Sequence, residues 1–134
     1  MRKLGERQIT IDCDVLQADG GTRCAAITGG FVALNLSIRN LMQRGLIRYN
    51  PLIGSVCAVS CGIYKGQVVA DLDYDEDSKC ETDMNFVMNQ NYDLIEMQGT
   101  AEDGAMSFEQ VTQMYGLAKE AASDLFQIQN KSLA

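Results

Sequence analysis

Residues 14–23 hold the residue types from which a binding site for an oxyanion can be built. Two adjacent glycines, Gly20 and Gly21, allow a sharp turn and bring backbone N–H groups close to a ligand. A helix that begins near Thr22 points unpaired N–H groups and the positive end of its dipole at the same place. Arg23 can add a two-pronged contact to a phosphate. The spacing matches neither a P-loop nor the dinucleotide-binding glycine pattern, so a plain glycine turn with a solvated Arg23 stays an alternative.

A second group of residues with chemical potential is the acidic segment 71–83. Its seven carboxylates and one lysine account for −6 of the net charge of −7. Clustered carboxylates supply the oxygen ligands that Mg²⁺ or Mn²⁺ prefers. An EF-hand does not fit, because Ser78 or Glu76 stands where the loop needs its glycine. The segment predicts a divalent-cation site, with a solvated acidic loop as the alternative.

Together, residues 20–23, which we call the phosphate cradle, and the predicted cation site at 71–83 indicate phosphoryl transfer. In that chemistry the protein mainly positions groups and neutralises charge. The chain has no histidine, which excludes histidine acid–base catalysis and the commonest zinc sites. It also has no basic run typical of a nucleic-acid surface.

Composition limits the setting of these residues. A chain of 134 residues that is 46% hydrophobic predicts one globular domain over 1–134. No apolar run is long enough to cross a membrane, and the first residues lack the apolar stretch of a secretory signal. Five cysteines without disulfide-like spacing favour a reducing, cytoplasmic location. Cys57 and Cys61 are expected to be buried on one face of a strand.

Hydrophobic periodicity predicts an α+β fold with the order β-α-β-β-β-β-α. The expected elements are a strand over 8–15, a helix from Thr22 to about Gln43 ended by Gly45, hairpins over 55–72 and 84–98, and a last helix opened by a capping box at Ser107 and Gln110.

Five runs of the sequence carry a resemblance to a known family. Residues 11–23, 25–29, 71–78, 81–85 and 95–102 resemble bacterial ribonuclease PH, in the same order and over nearly the whole chain. The resemblance implies an α+β domain of the ribosomal protein S5 domain 2-like type. It also implies a phosphorolytic 3′→5′ exoribonuclease, or tRNA nucleotidyltransferase, that trims tRNA precursors. In that reaction inorganic phosphate attacks the last phosphodiester and a nucleoside diphosphate is released.

The resemblance also implies roles for particular residues. Gly21, Thr22 and Arg23 correspond to the residues that hold the attacking phosphate. Asp77 and Asp83 correspond to aspartates that hold Mg²⁺ (or Mn²⁺) and assist protonation of the leaving 3′-oxygen. Asp71, Asp73 and Glu76 are expected at outer or solvent-facing positions. Cys24 stands where the family usually has threonine.

The resemblance covers the second half of the family pattern. A further phosphate-contacting arginine and the RNA-guiding basic residues of the first half have no counterpart. We therefore expect an open sheet edge or uncovered apolar surface, and either a homo-oligomer, such as the family's hexameric ring, or another chain that supplies the first half. Two other classes remain open: a non-catalytic assembly or interaction fragment, and a phosphate- or metal-binding module without turnover.

Overall fold

The structure, a computed structural model, describes residues 4–134 and contains four strands and three helices within them. The elements in chain order are α1 Thr22–Gln43, β1 Val56–Tyr64, β2 Gln67–Ala70, α2 Tyr74–Lys79, β3 Thr82–Asn89, β4 Leu94–Ala101 and α3 Phe108–Ser132. The predicted α+β class is confirmed. None of the helices in the described part is long and apolar enough to span a lipid bilayer.

Helix α1 has the bounds that the periodicity predicts. It ends in a Schellman motif: the N–H of Gly45 donates to the carbonyl of Met42, and the N–H of Leu46 donates to that of Leu41, at 3.0 and 2.9 Å. Gly45 has a φ of 67°, a left-handed conformation that favours glycine. Gly45 therefore ends the helix, as predicted.

The four strands form one antiparallel sheet in the order β2-β1-β3-β4. Lys65 and Gly66 join β1 to β2, and both have positive φ, as a two-residue hairpin turn requires. In the β3–β4 turn the side-chain oxygen of Asn89 accepts the N–H groups of Asn91 and Asp93 at 2.8 and 3.0 Å. Both predicted hairpins are confirmed.

The two faces of the sheet are covered by different helices. Helix α3 opens with the predicted capping box between Ser107 and Gln110 and packs on the face that carries Cys57 and Cys61, both fully buried as expected. Helix α1 packs on the opposite face, where Cys24 meets Val87 of β3. The acidic segment and the start of α1 lie at this second face.

The prediction of a strand over residues 8–15 is wrong. Its backbone pairs with no strand in the described part of the chain. The segment lies along α1 instead: the Cys13 thiol donates to the Ala26 carbonyl at 3.8 Å, and Ile11 reaches Gly30. The alternation of apolar residues is real, but a strand needs a neighbouring backbone, and none of the sheet's strands adjoins this segment.

Strand β4 forms an edge of the sheet. Nearly all of its residues are exposed, and the side chains of Leu94, Ile95 and Met97 are 45, 61 and 49% exposed. No segment of residues 4–134 pairs with its outer edge. An open edge with exposed apolar side chains agrees with the expectation from the sequence.

Candidate functional site

The turn before α1 builds the predicted cradle. Gly21 is the N-cap of the helix, with a left-handed φ of 70°, and no side chain caps the first turn. The Thr22 hydroxyl turns back and donates to the carbonyl of Asp19 at 2.7 Å. The first N–H groups of a long helix therefore point outward without a side-chain acceptor, an arrangement that suits an anion.

Asp19 and Gly20 attach this cradle to the acidic segment. One oxygen of the Asp19 carboxylate accepts the N–H of Gly20 at 2.9 Å and also the N–H of Tyr74, the first residue of α2. A Cβ on Gly20 would lie 2.0 Å from the carbonyl oxygen of Leu72. The two segments that the sequence marks separately are thus joined by backbone contact.

Within the acidic segment, a short helix that the sequence analysis did not predict replaces the expected loop. Asp73 caps α2: its side chain accepts the N–H of Glu76 at 2.8 Å, and the Glu76 side chain accepts the N–H of Asp73 at 3.2 Å. The spacing of Asp73 and Glu76 is a capping-box signal that could have revealed this helix. These two carboxylates serve the helix cap, and Asp71 is exposed.

The two aspartates predicted to hold a metal lie close enough to interact. Asp83, on β3, is half-buried, and burial raises the pKa of its carboxyl; the charges of Asp77 on α2 and of Glu102 raise this pKa further. Asp83 forms no ion pair within residues 4–134. In the same part of the chain no three His, Cys, Asp or Glu side chains form a ready metal cluster. The arrangement is an uncompensated pair of carboxylates rather than a complete cage.

Arg23 extends from the first turn of α1 towards β4. Its Nη2 lies 2.7 Å from Oε1 of Glu96, and the two side chains are 48 and 43% exposed. This is the one ion pair within residues 4–134. Glu96 was not among the predicted site residues, because only the pairing of β4 with β3 brings it beside α1.

Cys24 ties the first turn of α1 to β3. Its thiol is buried and donates to the side-chain oxygen of Asn85 at 3.1 Å. Burial raises the pKa of Cys24 to about 11; the positive charge of Arg23 lowers it, and the charge of Asp83 raises it. The thiol stays protonated and acts as a hydrogen-bond donor, a role that a hydroxyl at this position can also fill.

Gly20, Gly21, Cys24 and Asp71 line a pocket of about 440 Å³ at the start of α1. A larger groove, of about 750 Å³, is lined by apolar and neutral polar side chains without any charged group, among them Phe31, Leu34, Ile53 and Ile95. Catalysis of phosphoryl transfer needs charge, so the groove is a poor candidate and the face at Arg23, Asp77 and Asp83 is the better one.

Comparison with known protein families identifies the class to which this fold belongs. The sequence profile of the 3′ exoribonuclease family, domain 2, matches residues 54–121, and the chain belongs to this family. The resemblance to the second half of ribonuclease PH is therefore confirmed at the level of the family. The match includes Asp77, Asp83 and Glu96, while Arg23 precedes it.

Among solved structures, the chain is similar to Rrp46 of rice (Oryza sativa). The TM-score is 0.67 at 22% sequence identity, and the superposition covers 88% of this chain and 50% of that chain. The likeness shows that the two share a fold. The chain spans about half the length of rice Rrp46.

Proposed function

We propose that this chain carries the phosphate- and metal-binding half of a phosphate-dependent 3′→5′ exoribonuclease that trims the 3′ ends of tRNA precursors. One observation carries the proposal. Cys24, next to Arg23 in the uncapped first turn of α1, donates a hydrogen bond to Asn85 of β3, and Asp83, whose carboxyl feels the charge of Asp77, lies two residues away on the same face of that strand. Such a face places an attachment point for an anion beside one for a cation, and phosphorolysis needs both.

In this reaction inorganic phosphate binds at Gly21, Thr22 and Arg23. The backbone N–H groups of the first turn and the guanidinium hold its oxygens. One phosphate oxygen attacks the phosphorus of the last phosphodiester, the bond from that phosphorus to the 3′-oxygen of the preceding nucleotide breaks, and a nucleoside diphosphate leaves. The released 3′-oxygen takes up a proton, which the attacking hydrogenphosphate can supply, and Asp77 and Asp83 would assist that transfer.

The residues present fit a divalent cation. Asp83 is half-buried beside Asp77 and Glu102 with no cationic partner in residues 4–134, so a bound cation would relieve the repulsion that raises its pKa. Two carboxylates are enough for Mg²⁺, which usually keeps several waters and takes other ligands from substrate phosphates. Asp77 and Asp83 would hold Mg²⁺ (or Mn²⁺), and the ion would neutralise charge on the phosphoryl oxygens.

We further propose that the chain works as part of a larger cytoplasmic assembly. It spans about half of rice Rrp46, and the exposed apolar side chains of β4 leave a sheet edge that a neighbour can cover. A homo-oligomer, such as a hexameric ring, or a chain that supplies the first half of the site would provide that cover. Its free cysteines, Cys13 among them, suit a reducing compartment.

The direct test is an assay of a tRNA precursor with a short 3′ extension, in phosphate buffer with Mg²⁺. We expect release of nucleoside diphosphates, and loss of that release in Arg23→Ala and Asp83→Ala. Arg44→Ala, which removes an exposed arginine at the other end of α1, is the matched control and should retain the activity. Release of nucleoside monophosphates independent of phosphate would contradict the proposal.

A non-catalytic role in assembly is the second candidate, and the exposed strand β4 favours it. If the chain binds phosphate through Arg23 but releases no diphosphate, it is a binding module without turnover. If it binds no phosphate, the assembly role remains. Isothermal titration with inorganic phosphate separates these outcomes.

A further inference from the structure

We propose that Glu96 is a positioning residue of the phosphate site: its carboxylate holds the Arg23 guanidinium at the first turn of α1 and apart from Asp77 and Asp83. The inference rests on the proposed function, since it assigns Arg23 to phosphate. Its starting point is that the one ion pair within residues 4–134 engages the arginine of the cradle.

The sheet places Glu96 beside Arg23 through two successive contacts. Cys24, the neighbour of Arg23, packs against Val87 of β3. Val87 is paired in register with Glu96 of β4, so the Glu96 side chain lies on the face that α1 covers. Strand pairing therefore fixes the backbone of Glu96 on this face, so that its carboxylate stays within reach of Arg23, a longer side chain with more free torsions.

Charge explains why such an anchor matters. The charges of Asp77 and Glu102 both act on the half-buried carboxyl of Asp83, and none of these three side chains forms an ion pair in the described part of the chain. A mobile guanidinium nearby would be drawn to them, which would occupy Arg23 and neutralise the aspartates. With Arg23 tied to Glu96, the positive charge and the paired negative charges stay separate and both remain open to ligands.

The contact geometry leaves room for phosphate. The contact between the two side chains joins Nη2 of Arg23 to Oε1 of Glu96 at 2.7 Å. A guanidinium has five N–H donors in a rigid fork, so the groups at Nε and Nη1 stay available for a phosphate. Both side chains are about half-exposed, and an anion can reach them from solvent.

Two substitutions at one position test the inference. Glu96→Ala removes the anchor, and we expect the Kd for inorganic phosphate to rise about three- to tenfold, the effect of having to order one long side chain on binding. Glu96→Gln keeps the acceptor oxygen but removes a negative charge near the anion, so its Kd should equal that of the unmodified chain or fall below it. Glu120→Ala, which removes an exposed carboxylate from α3, is the control and should leave the Kd unchanged.

The measurement is a phosphate titration of the full chain followed by ¹⁵N NMR of the Arg23 side-chain N–H signals, with thermal unfolding to confirm that each variant is folded. Without phosphate, Glu96→Ala should broaden or average these signals, and Glu96→Gln should preserve them. If Glu96→Ala fails to fold, Glu96→Asp replaces it, because the shorter side chain cannot hold the same contact.

Each other outcome overturns the inference. Tighter phosphate binding in both variants would make Glu96 a competitor for Arg23 and not an anchor. Unchanged binding in both would reduce the ion pair to a structural contact. If phosphate leaves the Arg23 signals of the unmodified chain unmoved, or Arg23→Ala binds phosphate equally well, the proposed function itself is wrong. That result is distinct from a failure at Glu96 alone.

Discussion

Replacing Gly20 with alanine should destabilise the fold, because it forces the phosphate cradle apart from the residues that lead into α2. Gly20 does not have a positive φ, so alanine meets no backbone strain there. The added Cβ would instead lie 2.0 Å from the carbonyl oxygen of Leu72 and 2.8 Å from that of Asp73. Both obstacles are backbone atoms, which cannot move aside by changing a rotamer, so the chain itself must shift.

The magnitude follows from the severity of this contact. Overpacking costs typically about 1 to 3 kcal/mol, and a clash with backbone belongs at the upper end. For a chain of this size each kcal/mol lowers Tm by roughly 3 to 5 °C, so Gly20→Ala should lower Tm by roughly 10 °C. The Kd for phosphate should also rise, because the shift displaces the turn that carries Gly21.

Gly29→Ala is the matched control. Gly29 lies in the exposed middle of α1, and a Cβ there would meet nothing within 4 Å. The same chemical change should therefore stabilise the chain by about 0.5 to 1 kcal/mol through helix propensity, raising Tm by roughly 2 to 4 °C. Differential scanning calorimetry of both variants checks the pair. A Gly20→Ala protein as stable as the Gly29→Ala protein would refute the proposed backbone contact between the cradle and α2.

Four further perturbations test other parts of the structure. At pH 8 a disulfide reagent such as DTNB should react rapidly with one thiol, that of the exposed Cys13, and with all five after denaturation. Burial raises the pKa of the Cys61 thiol from its ordinary value of 9.0 to about 12. The buried neutral thiol therefore contributes fully to stability below pH 9.0, and this contribution is lost as the pH rises towards 12. Urea unfolding across this range should show a falling free energy of unfolding. Gln129→Ala should lower the free energy of unfolding by about 2 kcal/mol or more, because its amide nitrogen donates to two backbone carbonyls at 2.9 Å, whereas the exposed Gln127→Ala should have little effect. Ser107→Ala should cost about 1 kcal/mol in urea unfolding by removing the cap of α3.

The sequence correctly predicted the elements that are determined by interactions between residues close together in the chain. The bounds of α1 follow from its apolar spacing and from Gly45, and the start of α3 follows from the capping box of Ser107 and Gln110. Both hairpins follow from turn residues that tolerate positive φ. In each case the stabilising partner lies within a few positions along the chain, where a sequence pattern can reveal it.

Features that depend on distant partners were not predicted. Residues 8–15 have the alternation of a strand but no neighbouring backbone within 4–134, so the pattern alone gave the wrong element. The first half of β1 shows the opposite case, because β2 pairs only with its second half and leaves backbone groups there without a strand partner. There the Thr28 side chain accepts the N–H of Ala58 at 3.1 Å, and Gln129 donates to the carbonyl of Val56 at 2.9 Å. Helix side chains thus satisfy backbone groups that a further strand would otherwise pair.

The same reasoning explains why Glu96 belongs to the site. Along β4 polar and apolar residues alternate from Glu96 onwards, which separates the two faces but does not say which one meets α1. The choice is made by an irregularity in the ladder: Met88 pairs with Leu94, but Val87 pairs with Glu96, so Ile95 is an extra residue. Without that bulge the ladder would pair Glu96 with Phe86 and turn its carboxylate towards the α3 face. A single inserted residue therefore determines that Arg23 meets a carboxylate and not an apolar side chain.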